Sequence, residues 1–453
     1  MKLTKLVHHI SPVHMLVLIY VAATVLASIL LSLPWSIKPG VDFDLLEILF
    51  TAISAISVTG LSVVSTADTF TPFGIVMLAI ILQFGGIGMM TAWTLVWILL
   101  GRKIGLGYRQ LIMFDQNRTD MIGLVRVIRY VFGFSILFEL IGFIYFSGLL
   151  YVRGYYDTVL QSMYYGAFHA ISSYTNAGFD IFGDSLLGYY HDYLFQLGTM
   201  VLIILGSIGF PVLIETWSYL QAKKLKQRYR FSLFTKITVT TFFLLIMIGA
   251  AVMFTFEYNG FFKDAPLHEK LMASLFSSVT ARNAGLATLD FANFYIPTLL
   301  ILSALMFIGA SPSSVGGGIR TTTFAIVFLA IRNYALGRTD VQVFGRRINE
   351  RDVIKSFVVF TTGVAIVIGA IIVIDALEMH RHSLAEVIFE VSSAFGTTGL
   401  STGITAELTS ASKIIIMWLM FIGRIGILSF LLGMRFNNEP IPYRYPEEKM
   451  IIG

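Results

Sequence analysis

Residues 45–62 read LLEILFTAISAISVTGLS. The apolar part is about a dozen residues long, too short to cross a bilayer, which takes about 20, and too apolar for a solvated loop; it runs into a turn of small residues. Three later segments have the same build: LQSMYYGAFHAISSYTNAGFD (160–180), LHEKLMASLFSSVTARNAGLA (267–287) and LAEVIFEVSSAFGTTGLS (384–401). Aligned on Gly60, Gly178, Gly285 and Gly399, they lie 118, 107 and 114 positions apart, and each Gly precedes a bulky apolar residue, Leu61, Phe179, Leu286 or Leu400. Ser54, Ser172 and Ser393 stand six positions ahead of their Gly, with Val279 the exception. A second Gly, Gly85, Gly206, Gly309 or Gly423, follows 25, 28, 24 or 24 positions later. Two landmarks in phase through four copies mark an internal repeat.

Composition fixes the solvent in which these repeats fold. Of 453 residues, 56% are hydrophobic and 13% charged, against roughly a quarter charged in a soluble domain. The chain reads as an all-α polytopic membrane protein. Runs long enough to span occur near 13–33, 74–100, 131–152, 193–220, 232–256, 295–331, 354–377 and 411–434, giving eight transmembrane helices with four short re-entrant helices between them. The repeats occupy 1–110, 111–225, 226–340 and 341–453, the last including a C-terminal tail. The first run follows Lys2 and Lys5 with no evident cleavage site, so it is expected to remain as a span.

The net charge of +5 does not imply nucleic acid, because the basic residues sit in short joins between apolar runs. Those joins hold Arg102, Lys103, Arg109 and Arg118, then Lys223, Lys224, Lys226, Arg228 and Arg230, then Arg332, Arg338, Arg346, Arg347 and Arg351. By the positive-inside rule they and both termini are cytoplasmic, and the short segments, with Asp42, Asp44, Asp157, Asp180, Asp184, Asp264 and Asp290 around them, enter from outside. The absence of Cys excludes disulfides, thiolate metal sites and thiol redox chemistry. No His-Glu-x-x-His and no phosphate-binding Gly-x-x-x-x-Gly-Lys loop occurs, and no Ser is marked by a nearby His and acid. Enzymatic activity and direct ATP-driven pumping are therefore not expected.

Irregular backbone at membrane depth is tolerated only where protein buries it or water lines it. Four Gly turns gathered about one axis meet that condition if their carbonyls face a shared path, and the partly negative C-terminal end of each short helix favours a cation there. Asp44, Glu47 and Glu386 suit the positive ends of their helices, or are ordinary solvated charges. His169 reads as a packed, hydrogen-bonded side chain. His380 and His382 lack a third ligand for a metal.

Span, pore helix, Gly turn and span, repeated four times, resembles the Trk/Ktr/HKT superfamily of potassium-translocating subunits over nearly the whole length. The turns are Ser57-Val58-Thr59-Gly60, Thr175-Asn176-Ala177-Gly178, Arg282-Asn283-Ala284-Gly285 and Gly396-Thr397-Thr398-Gly399. With the first repeat close to the N-terminus, the chain is most similar to the bacterial Ktr membrane subunits of the KtrB and KtrD type. The resemblance implies a potassium selectivity filter formed by Val58, Thr59, Gly60, Asn176, Ala177, Gly178, Asn283, Ala284, Gly285, Thr397, Thr398 and Gly399. One Gly per turn, with neighbours that differ, points to one good potassium site and a weaker preference than a tetrameric channel has. Arg282 would repel a cation, so its side chain is expected behind the filter, on a carboxylate or carbonyl.

In the third repeat the second landmark opens Gly309-Ala310-Ser311-Pro312-Ser313-Ser314-Val315-Gly316-Gly317-Gly318, where the other repeats have Gly85 and Gly88, Gly206 and Gly209, or Gly423 and Gly426. Pro and clustered Gly break a helix, and the resemblance implies an intramembrane loop that acts as a gate, against the plainer reading of a passive kink. Arg424, one position after Gly423, needs a partner inside an apolar span, where a charge costs about 2.5–3.5 kcal/mol. The free carbonyls of the broken helix would make it a latch; a structural pair with Glu139 is the alternative. The family also implies a bacterial cell membrane location, a homodimer, potassium as transported ion with sodium as activator, no cofactor in this chain, and a cytosolic ring of KtrA or KtrC type that carries the nucleotide. The tail's Met450, Ile451 and Ile452 are candidates for a protomer interface. An alternating-access cation symporter is the competing reading, but such folds usually invert their repeats, and these four enter from one side.

Overall fold

A computed structural model describes residues 12–99, 106–115, 124–379 and 381–434, together with 446, 448, 450 and 451 of the tail. Lys2, Lys5, Arg102, Lys103, Arg118, His380 and Ile452, on which charge, metal and interface readings drew, lie outside the described residues.

Three kinds of helix recur four times in order. The first is long and unbroken: Pro12–Leu31, Leu124–Val152, Leu233–Glu257 and Glu350–Glu378. Among the described residues these are the four unbroken helices long and apolar enough to cross a membrane. They leave apolar side chains such as Leu18, Ile144, Met247 and Ile372 exposed, as a lipid-facing surface requires.

The second kind is short: Leu45–Ser57, Val159–Tyr174, Leu267–Thr280 and Leu384–Gly396. Glu47 accepts from the Asp44 amide at 3.1 Å, and Glu386 from the Ser383 amide at 2.7 Å while Ser383 Oγ accepts from the Glu386 amide. The acids at these N-termini are thus capping groups. In the second and third units the short helix packs closely on its long neighbour through small residues, which is how helices approach without a hydrophobic drive between them: a methyl at Gly166 would lie 2.7 Å from the Ser147 amide nitrogen, and Ser278 Oγ donates to the Ile246 carbonyl at 2.6 Å.

The third kind is broken in every unit, where the sequence reading expected an interrupted span only in the third. Pro72–Ile87 and Met89–Leu99 part at Gly88, Tyr193–Ser207 and Phe210–Lys224 at Gly209, and Ser410–Ile425 and Ile427–Gly433 at Gly426, with Ile296–Phe307 and Thr321–Ala335 separated by the long loop. The second and fourth pairs bend by 100°. Gly88, Gly209 and Gly426 have φ of +96°, +100° and +88°, a region open to Gly and strained for other residues. Interruption is common to all four units rather than particular to the third. The all-α reading needs one smaller correction: Gln342–Val343 and Arg346–Arg347 pair as a hairpin turned by Phe344 and Gly345.

Buried clusters cross the unit boundaries. Ala55, Ile56 and Val58 of the first unit share a core with Ala177 and Phe179 of the second, Val315 of the loop and Ile425 of the fourth. The four units therefore close on one another about the ends of the short helices.

Candidate functional site

The short helices end in one backbone motif. In the first, second and fourth units the amide just before the ring Gly turns back to a carbonyl five residues earlier, Thr59 to Ser54, Ala177 to Ser172 and Thr398 to Ser393, each at 2.8 Å. Val58, Asn176 and Thr397 occupy the left-handed position of this ending, with φ of 57°, 52° and 51°, where Gly or Asn is usual; for the β-branched Val58 and Thr397 the conformation costs about 1–2 kcal/mol. The third turn closes differently, with the Ala284 amide on Thr280 O at 2.9 Å and Asn283 at φ 88°.

The recurring Ser of the short helix holds the turn that follows it. Ser54 Oγ accepts from the Gly60 amide at 3.1 Å and Ser393 Oγ from the Gly399 amide at 3.0 Å, while Ser172 Oγ donates to Phe179 O. Where the third unit has Val279, Thr280 Oγ1 donates to Leu286 O at 2.7 Å instead. In the fourth unit Glu390, buried, accepts from the Thr402 amide at 3.1 Å and Thr405 Oγ1 at 2.9 Å and braces the segment that follows the turn.

The four turns meet in a ring. A methyl group on Gly60 would lie 2.6 Å from Ala177 O, one on Gly178 3.1 Å from Ala284 O, and one on Gly285 2.5 Å from Thr398 O, while Gly399 abuts Thr59 O. Each Gly thus sits against the carbonyl that precedes the next Gly, and the circuit closes from the fourth unit to the first. All four have φ between +69° and +93°. Positive φ and backbone contact each require Gly here. On one side of the ring lies a cavity of about 190 Å³ whose lining includes all four Gly and one acid, Asp180. A larger cavity of about 720 Å³, between Ala330 and Phe357, involves neither ring nor loop residues.

The second landmark Gly has its own reason. Gly85 packs on Ile56 O, with a methyl position 2.6 Å away, and Gly206 and Gly423 abut Tyr174 O and Phe395 O, the matching carbonyls of their own short helices. Gly309 breaks the pattern and abuts Gly317 O within the loop.

The segment Gly309–Gly318 is bonded on every side. Ser311 and Val315 donate their amides to Ser207 O and Gly206 O, Gly318 donates to Gly423 O at 3.2 Å, and Ser313 O accepts from the Phe210 amide at 2.8 Å. Toward the ring, Asn283 Oδ1 accepts from the Ala310 amide at 3.2 Å and Thr397 Oγ1 from the Gly317 amide at 2.9 Å. Ala310, Ser311, Pro312, Val315, Gly316 and Gly317 are buried.

Three arginines hold this segment. Arg282, fully buried, donates to Leu305 O at 3.1 Å, to Ile308 O and to Gly309 O at 2.6 Å. It points away from the ring to the carbonyl end of a broken helix, which lacks intrahelical partners and favours a cation. Because Arg282 takes these carbonyls, Arg424 does not: it donates to Val315 O in the loop and across to Gly85 O and Gly86 O. Glu139 is bonded to Gln83 at 2.8 Å instead. Arg320, which the sequence reading missed, donates to Ser311 O at 3.4 Å and to Gly316 O; its place two residues after Gly318 was the available signal. None of the three has an acidic partner among the described ion pairs.

His169 is packed as expected, against Thr199 Oγ1 at 2.9 Å and the rings of Phe146 and Phe195. Among the described residues no group of three His or acids is placed to hold a metal ion.

Residues 11–439 match the family model TrkH, described as cation transport protein. The chain is 48% identical over 456 residues to the Ktr system potassium uptake protein D of Bacillus subtilis (strain 168), covering all of both chains. It is 36% identical to the Ktr system potassium uptake protein B of the same organism, over 98% of this chain and 97% of that one. Its fold is similar to the crystal structure of the potassium transporter TrkH from Vibrio parahaemolyticus, with a TM-score of 0.71 at 17% identity over 95% of this chain and 86% of the other.

Proposed function

The chain belongs to the TrkH family of cation transport proteins, and on that premise we propose that it is the membrane-spanning, potassium-translocating subunit of a Ktr-type uptake system. The names of its two Ktr relatives supply the ion and the system. The closed ring of four Gly turns is the observation that carries the reading. In it the repeats 1–110, 111–225, 226–340 and 341–453 each give one turn. Val58 to Gly60, Asn176 to Gly178, Asn283 to Gly285 and Thr397 to Gly399 form a selectivity filter, in which backbone carbonyls replace the ion's hydration shell.

Potassium enters from the outer cavity past Asp180, drawn by the negative ends of the four short helices. Below the filter the segment Gly309–Gly318 acts as a gate, held shut by Arg424 on Val315 O, and the unpaired arginines raise a barrier to cations there. Channel-like permeation fits a ring built from four like-facing units better than alternating access. The eight membrane crossings are four continuous helices and four broken ones, with the short helices re-entrant and both termini cytoplasmic in the bacterial cell membrane. The subunit pairs as a homodimer and answers to a cytosolic nucleotide-binding ring, with sodium as activator.

Potassium and sodium flux into liposomes, measured beside Gly285→Ser, tests this. The serine Cβ would fall 2.5 Å from Thr398 O, so the ring must open and the potassium preference is expected to fall about tenfold or more. A preference indifferent to Gly285 overturns the filter.

A further inference from the structure

Every residue two positions before a ring Gly has a positive φ, but only two of them reach the loop. Val58 is apolar, and the side-chain amide of Asn176 has no hydrogen-bond partner although it is fully buried. Asn283 and Thr397 are joined to each other and to the loop at once. Asn283 Nδ2 donates to Thr397 O at 2.6 Å and to Thr397 Oγ1 at 3.0 Å. Its Oδ1 accepts from the Ala310 amide, and Thr397 Oγ1 accepts from the Gly317 amide. All four of these residues are buried, Asn283 and Thr397 completely.

The two loop amides are also near the ends of a closure, since the Ala310 amide bonds Gly317 O at 3.1 Å. The loop's neck is thus clasped by the side chains of the third and fourth turns. Any movement that carries Ala310 and Gly317 away leaves the buried Asn283 Oδ1 without its donor and the buried Thr397 hydroxyl with only Asn283 Nδ2. Unsatisfied polar groups at this depth are costly, so the side chains must turn to new partners, and Asn283 Nδ2 is what ties the Thr397 carbonyl to the neighbouring turn.

We infer that Asn283 and Thr397 are positioning residues through which the loop sets the geometry of the ring, so that gate position and ion preference are coupled on the third and fourth turns and uncoupled on the first and second. This rests on the filter and gate reading above. The closed loop holds the two turns in register; its departure loosens that half of the ring.

Thr397→Val isolates the hydroxyl. Valine is nearly isosteric, and Val58 already occupies the same left-handed position in the first turn at φ 57°, so the substitution places there a residue type the ring accepts. Flux of potassium and sodium into liposomes is measured for wild type, Thr397→Val, Thr397→Ser, a chain shortened between Ser311 and Gly317, and the shortened chain with Thr397→Val. In the full-length chain, Thr397→Val is expected to raise flux without a cytosolic partner about tenfold and to lower the potassium-to-sodium ratio several-fold. Serine keeps the oxygen and restores both toward wild type. In the shortened chain the valine is expected to change both far less, because the loop's bond to the hydroxyl is already gone and only the one from Asn283 Nδ2 remains to be lost. The coupling is overturned if valine and serine behave alike, or if valine lowers the ratio equally with and without the loop, which would mean that Thr397 acts on the ring alone. Gly285→Ser in the same assay separates the two failures: if it weakens the potassium preference while the coupling tests fail, only this inference falls.

Discussion

At the residue scale the membrane makes hydrogen bonds the decisive currency. Arg282 stands beside a ring proposed to bind a cation, and its charge is tolerable because it is spent on three backbone carbonyls at the end of a broken helix. Lysine is not an equivalent, since a single ammonium lacks the planar fork that reaches Leu305, Ile308 and Gly309 together. Arg282→Lys is expected to cost about 2 kcal/mol, read as a lower unfolding temperature of the detergent-purified protein; an unchanged temperature would show that the carbonyls do not depend on the fork. That the side chain faces away from the ring follows from charge repulsion, which the sequence carries. Which carbonyls receive it does not, because Arg282 and Gly309 are 27 residues apart.

At the scale of the element, the third unit differs in degree rather than kind. Every second helix is interrupted, but Gly88, Gly209 and Gly426 do it with one residue of positive φ, whereas the third unit inserts a loop that bonds to the breaks of the second and fourth. A passive kink would not need those cross-links. Shortening Ser311–Gly317 is therefore expected to raise potassium flux and reduce dependence on a cytosolic partner, and unchanged flux and dependence would remove the gate assignment. The sequence marks the loop by its Pro and Gly cluster. It does not mark the other three breaks as clearly, because a Gly-x-x-Gly pair in an apolar run reads equally well as a packing notch, and Gly85, Gly206 and Gly423 are indeed notches against the short helices.

For the whole molecule, orientation is the property that composition speaks to most directly. The chain has no Cys, so single introduced thiols report cleanly. Lys224→Cys is expected to react with an impermeant maleimide only from the cytoplasmic side of oriented membranes and Asp157→Cys only from outside; both positions are exposed, and the reverse pattern would invert the proposed topology. By itself the sequence determined the solvent, the four repeats and the four Gly of the ring, because apolar run length, charge placement and glycine phase are local properties that survive without coordinates. The tertiary structure alone decided which groups satisfy the interrupted backbone: Asn283 bonds Thr397 across 114 residues and Arg424 bonds Gly85 across 339. Broken helices in a membrane must find hydrogen-bond partners within the protein. Local pattern shows that need, and only the closing of the four units shows what meets it.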